Sequence, residues 1–513
     1  MHCTQKKIVV CILAVFLVFG AKAWSADAPL TEREKELLKS VEELRNRVNE
    51  LEKKMSDGPA APNAAPAAAP EPAENESPKD KAIREQAIEE RISQLEQDKK
   101  ENFKVYWKDG LSFDTLDGNF KLKVGGRLFV DAAWFSQSDE LKNAFGPATT
   151  PGGLIPGDEQ DGFQIRMGRI NIQGDIYKDF FYRIEYELAG NNGPSGFTDT
   201  YLGIKNVPYL GTITIGHFKE PISLEELVSD TNITFMERAL PNAFSPARNL
   251  GVMLNNAHFG EIKMERLTWA LGVFKPTDNW PSANDSDEDQ GYAFTGRITG
   301  LPWYKYKGKQ LIHVGFAYSH REPDGAIINA YSVGANPESR LSNVRWVNTE
   351  GFGPFRLRDA RAETVDLLCA ELAGVYGPFS LQGEYMHSFV DTTFDGMHEF
   401  DGLYVQGSYF LTGEYRLYKN ANGIFDRVRP NNNFQLGKGW KNLGAWEIAA
   451  RYSNLNLDDG AVRGGVENNY TLGVNWYLSP NMRWTINGTL ANIDHDLYDG
   501  HVGILQTRFQ VDF

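Results

Sequence analysis

From about residue 119 to the last residue, apolar side chains recur at every second position. That period belongs to extended backbone, whose side chains point alternately to opposite faces. In "NFKLKVGGRLFVDAAW", Phe120, Leu122, Val124, Leu128, Val130 and Trp134 share one parity, and Lys121, Lys123, Arg127 and Asp131 share the other. In "FFYRIEYEL", Phe180, Tyr182, Ile184, Tyr186 and Leu188 oppose Arg183, Glu185 and Glu187. In "NNYTLGVNWYLS", Tyr470, Leu472, Val474, Trp476 and Leu478 oppose Thr471, Asn475 and Tyr477. About sixteen such segments follow one another, many near ten residues long, the length of a tilted membrane-spanning strand.

A soluble β-sandwich also alternates, but three features argue for a transmembrane barrel. The apolar faces end in aromatic residues, as interfacial girdles do. The opposite faces carry charges in mid-strand, which a dry core would not tolerate. A run of this many consecutive strands must close to remove its edges. Short turns such as "LSPN" alternate with long connections at 275–290, 321–360 and 412–442, which predicts short turns at one end and long loops at the other. The fold class expected is therefore all-β, a sixteen-stranded antiparallel transmembrane β-barrel preceded by a short α-helical coiled coil.

The N-terminal region divides by composition. Residues 1–26 read as a secretory signal peptide: Lys6 and Lys7, the apolar run Ile8–Gly20, and small-residue cleavage sites after Ala23 or Ala26. Residues 27–56 carry a heptad, with Leu37, Leu44 and Leu51 seven apart and Val41, Val48 and Met55 seven apart, which predicts a self-associating coiled coil. Residues 57–80 form an Ala/Pro linker, 81–102 a short helix with Ile88, Ile92 and Leu95 on one face, and 103–513 the barrel. No run after the signal reaches about 18 apolar residues, so no spanning helix is expected.

Composition and motifs exclude several functions. The formal charge is −15, and no basic patch with interleaved aromatics is present, so nucleic acid is not an expected partner. There is no G-x-S-x-G, H-E-x-x-H or P-loop, so the chain does not read as an enzyme. The 9 histidines are scattered, and no metal or cofactor is expected. Of the 3 cysteines, Cys3 and Cys11 fall in the signal, leaving Cys369 as a packed small hydrophobe.

The strings "GRLFVDAAWF", "RMGRINIQGDIY", "ITIGHFKEPISLEELVSDTNITFMERAL", "GPFSLQGEYMHS", "GLYVQGSYFLTGEYRLYK", "GAWEIAARYSNLNL" and "NNYTLGVNWYLSPNMRW" occur in that order. Their sequence and spacing resemble the phosphate-selective porin O/P family of Gram-negative outer membranes, over about residues 103 to 513. The resemblance implies a homotrimer of barrels in the outer membrane, each with its own water-filled pore, and a long loop folded inward to narrow it. It implies passive diffusion of small anions, phosphate or polyphosphate favoured, with the lipid bilayer and lipopolysaccharide as surroundings. A second reading is a general porin whose coiled coil, in the periplasm, tethers the outer membrane to the cell wall.

The stretch 218–249 breaks the alternation with Pro221, Pro241 and Pro246 and the helix-like "SLEELVS", and is the expected constriction loop. Pore residues expected from faces and motifs are Lys121, Lys123, Arg127, Arg166, Arg169, Arg183, Lys219, Arg238 and Arg248. Further lumen positions are Arg297, Arg451, Arg483 and Arg508, with Asp131, Asp175, Glu185, Glu187, Glu384, Glu447 and Asp512 of opposite sign. Phosphate-selective members resemble one another in a ladder of alternating arginines. The nearest string here, "FRLRDARAE", supplies Arg356, Arg358 and Arg361, the last out of step, and Met167 stands in "RMGR" where an arginine is common in the family. A broken ladder implies an anion bias less sharp than a complete one. Finally, "GILQTRFQVDF" reads as the closing strand, with Arg508 and Asp512 on its water side and the terminal Phe513 resembling the signal read by the barrel-assembly machinery.

Overall fold

The computed structural model describes residues 78–101, 103–143, 158–190, 196–257, 266–275, 291–323, 331–342, 344–349, 362–437 and 442–513. The expected signal peptide, coiled coil and most of the Ala/Pro linker lie outside these. The short helix runs Pro78–Glu101, three residues earlier than the sequence suggested. A proline is tolerated in the first helical turn, where its missing N–H has no intrahelical partner.

Sixteen antiparallel strands form the wall. They are β1 (Phe120–Gln137), β2 (Gly162–Ile176), β3 (Phe180–Glu187), β4 (Gly196–Val207), β5 (Gly211–Lys219), β6 (Arg248–Asn256), β7 (Leu267–Lys275) and β8 (Ala293–Lys305). The series continues with β9 (Gln310–Arg321), β10 (Ala362–Tyr376), β11 (Phe379–Thr392), β12 (Gly396–Phe410), β13 (Ala445–Asp459), β14 (Val462–Ser479), β15 (Met482–His495) and β16 (Tyr498–Asp512). Each pairs with its neighbour in sequence, and β16 pairs with β1 from Val502↔Gln137 to Asp512↔Arg127, which closes the ring.

The outward parity is apolar and exposed: Leu128 and Trp134 on β1, Ile170 and Ile172 on β2, Leu472 on β14, Leu505 and Phe509 on β16. This is the band a hydrocarbon layer would cover. Among the described residues, no helix is long and apolar enough to cross a membrane.

The wall begins at Phe120, not at 103. Residues 103–115 form a separate hairpin, Phe103–Trp107 against Leu111–Thr115. Its second strand pairs with the start of β1, from Leu111↔Val124 to Asp114↔Lys121. Just beyond that patch, Phe513 exchanges both backbone hydrogen bonds with Gly126, and its ring stacks on Trp107 with centroids 6.3 Å apart. A Cβ on the adjacent Gly125 would meet the Phe513 backbone oxygen at 2.5 Å, so that position needs glycine.

The division into a short-turn end and a long-loop end holds only in part. Turns 177–179, 208–210, 306–309, 377–378 and 480–481 lie at one end, but the long segment 411–444 lies there too. Its Tyr415, Tyr418, Ile424 and Phe425 pack with Leu224, Val228 and Ile233 of the loop between β5 and β6, against Leu311, Ala373 and Val375 of the wall. A long connection is stable at the turn end because it buries this apolar surface inside the ring.

Candidate permeation path

The loop 220–247, between β5 and β6, folds into the barrel. Ile222, Leu224, Val228, Ile233, Phe235, Met236, Leu240 and Phe244 are all buried. Its backbone carbonyls are taken up by the far wall. Arg483 donates to Ile233 O at 2.6 Å, Asn475 to Thr234 O at 2.8 Å, Gln510 to Thr231 O at 3.0 Å and Arg451 to Glu237 O at 3.0 Å. Arg508 donates to Met236 O. Ser223 caps the one-turn helix Leu224–Leu227, its Oγ accepting from Glu226 N at 3.1 Å. The Glu384 carboxylate of β11 accepts from Ser223 Oγ at 3.0 Å and from the helix's first amides. Buried polar groups must be paired, and this loop meets that demand with side chains from five strands.

Part of the interior beside β9–β16 is packed with apolar side chains. Val365, Leu367, Cys369, Met386, Val390, Phe400 and Leu455 form one apolar cluster with Ile222, Leu240 and Phe244 of the loop and Val344 and Trp346 of the segment after β9. Two buried arginines at its border are paired in place: Arg297 of β8 is bidentate to Glu371 at 2.8 and 2.7 Å, and Arg451 pairs with Glu338 at 2.5 Å. Arg508 and Asp512, expected on the water side, are buried. Arg508 is 2 % exposed and holds Asp131 and Glu237 at 2.7 and 2.6 Å, and Asp512 takes Arg427 of the turn-end segment. Parity placed them inside the ring correctly. Inside does not mean wet here, because two inward segments fill this half.

Open space runs along the opposite wall. A cavity of about 450 Å³ at the turn end is bounded by Lys121, Lys123, Asp175, Arg183 and the hairpin residues Tyr106 and Asp114. A second, of about 410 Å³, is bounded by Asp199, Thr214, Lys219, Asn255 and Arg297. Among the described residues, no ion pair within 4.0 Å involves Lys121 or Lys123.

Six of the other expected pore residues converge in one network. Arg127 meets Glu185 at 2.5 Å, Arg169 meets Glu187 at 2.7 Å and Glu185 at 3.2 Å, and Arg183 meets Glu185 at 2.6 Å. Arg248 is bidentate to Asp199 at 2.7 and 3.3 Å. From the loop, Arg238 pairs with Glu226 at 3.1 Å and Asp230 at 2.7 Å, and Lys219 with Glu226 at 2.9 Å. Asp230 also lies 3.5 Å from Arg169, so it joins loop and wall. Six cations (Arg127, Arg169, Arg183, Lys219, Arg238, Arg248) face five carboxylates (Glu185, Glu187, Asp199, Glu226, Asp230). A second knot joins Arg166, Arg340 and Arg508 through Glu237. Burial disfavours charge on Glu237, but Arg166, Arg508 and Arg340 outweigh it and hold the carboxyl down to about 2.

Arg166 and Arg169 are three residues apart, so a regular strand would send them to opposite faces. The register of β1 against β2 shifts between Phe129 and Val130, pairing Phe129 with Met167 and Val130 with Ile165. This bulge absorbs the extra residue and lets both arginines turn inward. The sequence missed the carboxylate half of the network at Asp199, Glu226 and Asp230. A register shift between Ile184 and Tyr186, opposite Asp199, and the irregular backbone of the loop hide their parity. Arg356, Arg358 and Arg361 lie outside the described residues.

The model of the family described as phosphate-selective porin O and P matches residues 156–513. The chain belongs to that family. This porin is 28% identical to Porin O of Pseudomonas aeruginosa over 403 residues, 72% of this chain and 83% of the relative. It is 27% identical to an uncharacterized protein of Caulobacter vibrioides over 426 residues, 80% of this chain and 77% of that one. Among solved structures, an anion-selective porin from Comamonas acidovorans aligns with 77% of the porin and 100% of its own chain, at 11% identity and a TM-score of 0.46. The outer-membrane channel DcaP of Acinetobacter baumannii aligns with 77% and 98%, at 12% identity and 0.45. Family and wall together make the protein an outer-membrane channel, not an enzyme.

Proposed function

We propose that the porin is a passive channel for small anions, with inorganic phosphate or polyphosphate as candidate solutes. The observation that carries this reading is the charge along the open half. The constriction network holds one more cation than carboxylates, and Lys121 and Lys123 add two lysines beside the turn-end cavity. Local charge in a narrow aqueous passage decides selectivity, whatever the net charge of the chain. Because nearly every arginine is paired, the expected anion preference is moderate. Lys121, Lys123, Arg127, Arg166, Arg169, Arg183, Lys219, Arg238 and Arg248 are the proposed path residues, Lys121 and Lys123 being the two with no carboxylate within 4.0 Å among the described residues. Porin O's family name supports phosphate as a solute.

The assembly proposed is a homotrimer seated in lipid and lipopolysaccharide, delivered by the barrel-assembly machinery through Phe513. The test of function is the reversal potential of the purified porin in a planar bilayer under a salt gradient, with phosphate titrated in. The expected result is anion preference that falls in Lys121→Met with Lys123→Met; a cation-preferring channel overturns the reading.

A further inference from the structure

Four aromatic rings line the inner wall of the open half, where a water-filled barrel ordinarily presents polar groups. They come from four different strands: Phe181 on β3, Tyr201 on β4, Phe218 on β5 and Phe274 on β7. They meet edge to face in a chain. Phe181–Tyr201 centroids are 6.1 Å apart at 71°, Tyr201–Phe218 5.9 Å at 82°, and Phe218–Phe274 5.5 Å at 69°. Phe218 and Phe274 are buried and anchor the chain, whereas Phe181 and Tyr201 are only half-buried and open to the path.

Their position matters more than their number. The two cavities of the open half share three bounding residues: Phe181, Tyr201 and Lys205. These three side chains form the common border of the two cavities, the neck of the open half. Lys205 pairs with Asp175 at 2.5 Å and places its ammonium 5.4 Å from the Phe181 ring centre. The neck therefore offers two aromatic rings beside one partly compensated cation. The loop-side cavity beyond it adds Met253, Leu227 and Ile424. A small inorganic oxyanion gains nothing from such a wall and gives up hydration to approach it. A flat arene gains ring contacts, and a carboxylate on it reaches the ammonium.

We propose that this neck favours organic anions carrying a planar apolar group, aromatic monocarboxylates being the type, over inorganic oxyanions and over aliphatic anions of equal charge. The proposal rests on the anion-channel reading above. It is tested on the full chain in planar bilayers by adding benzoate, acetate or inorganic phosphate and finding the concentration of each that halves the chloride current. Benzoate is expected to act at a concentration about two- to tenfold below acetate, the range that one aromatic pair supplies. That ratio is expected to fall towards one in Phe181→Leu and Tyr201→Ala, and to persist in Tyr201→Phe, which keeps the ring. The ratio is read within each channel preparation, so it does not depend on how much of a variant inserts. Equal action of benzoate and acetate on an anion-selective wild-type channel overturns this proposal alone. So does a ratio unmoved by both ring removals. A cation-selective wild-type channel overturns the anion reading, and the proposal with it.

Discussion

Glu185 has no exposed surface and faces three guanidinium groups, those of Arg127, Arg169 and Arg183. Such a carboxylate does more than neutralise: it sets how much positive charge a passing solute feels. Glu185→Gln leaves the three arginines in place with one fewer negative charge among them. The expected outcome is a reversal potential shifted further towards anions. A lowered unfolding midpoint on heated gels should accompany it, since unbalancing a buried ionic cluster costs about 3–5 kcal/mol. At this scale the sequence was informative about the side of the wall and poor about state. Parity identified Arg127, Arg183 and Glu185 as inward. Arg166 was expected in the path from its motif and not from alternation, because the bulge that turns it inward is set by cross-strand register. Nor could it show that Arg508 is dry, since its partners Asp131 and Glu237 lie 377 and 271 residues away in sequence.

The inward loop is the element on which the pore depends. Its prolines and its "SLEELVS" helix were legible as an interruption of the alternation, and the helix exists at Leu224–Leu227. Its docking was not legible, since the partners Glu384, Arg451, Asn475, Arg483 and Arg508 are scattered over five later strands. Glu237 gives the docking a pH signature. A carboxyl held down to about 2, against an ordinary value of 4.5, stabilises the docked loop above about pH 4.5, and that contribution fades as pH falls towards 2. Single-channel conductance limited by this contact should therefore stay constant from neutral pH to about pH 3 and rise or become noisy only below it. In Glu237→Gln the same instability should appear at neutral pH. Replacing residues 224–245 by a short Gly/Ser turn removes the constriction altogether. Conductance several times that of the wild type is expected, and unchanged conductance would place the narrowest point elsewhere.

For the whole molecule, the sequence yielded the strand count and the outward band, because lipid imposes period 2 on every strand alike. It did not show that two segments, 220–247 and 411–437, enter the ring from opposite ends and pack against its wall. The hairpin 103–115 was equally hidden: it was assigned to the barrel with the rest of 103–513, although its two strands lie outside the closed ring of sixteen. Its removal exposes the backbone of Lys121–Val124 as an open edge. Deleting 103–118 is expected to lower the heat-denaturation midpoint by several degrees while leaving the barrel closed, because β16 still pairs with β1 over 127–137.

The hairpin also acts as a ruler. A closed sheet can in principle seal in more than one alignment, each displaced by two residues and each keeping its apolar side chains outward. Here the first stretch of β1, Lys121–Val124, is paired with the hairpin, so the last strand meets β1 only from Gly126 on. Phe513 can slide no further than Gly126 before its ring meets Trp107. A short element outside the ring of sixteen thus blocks one direction in which the seam could slip.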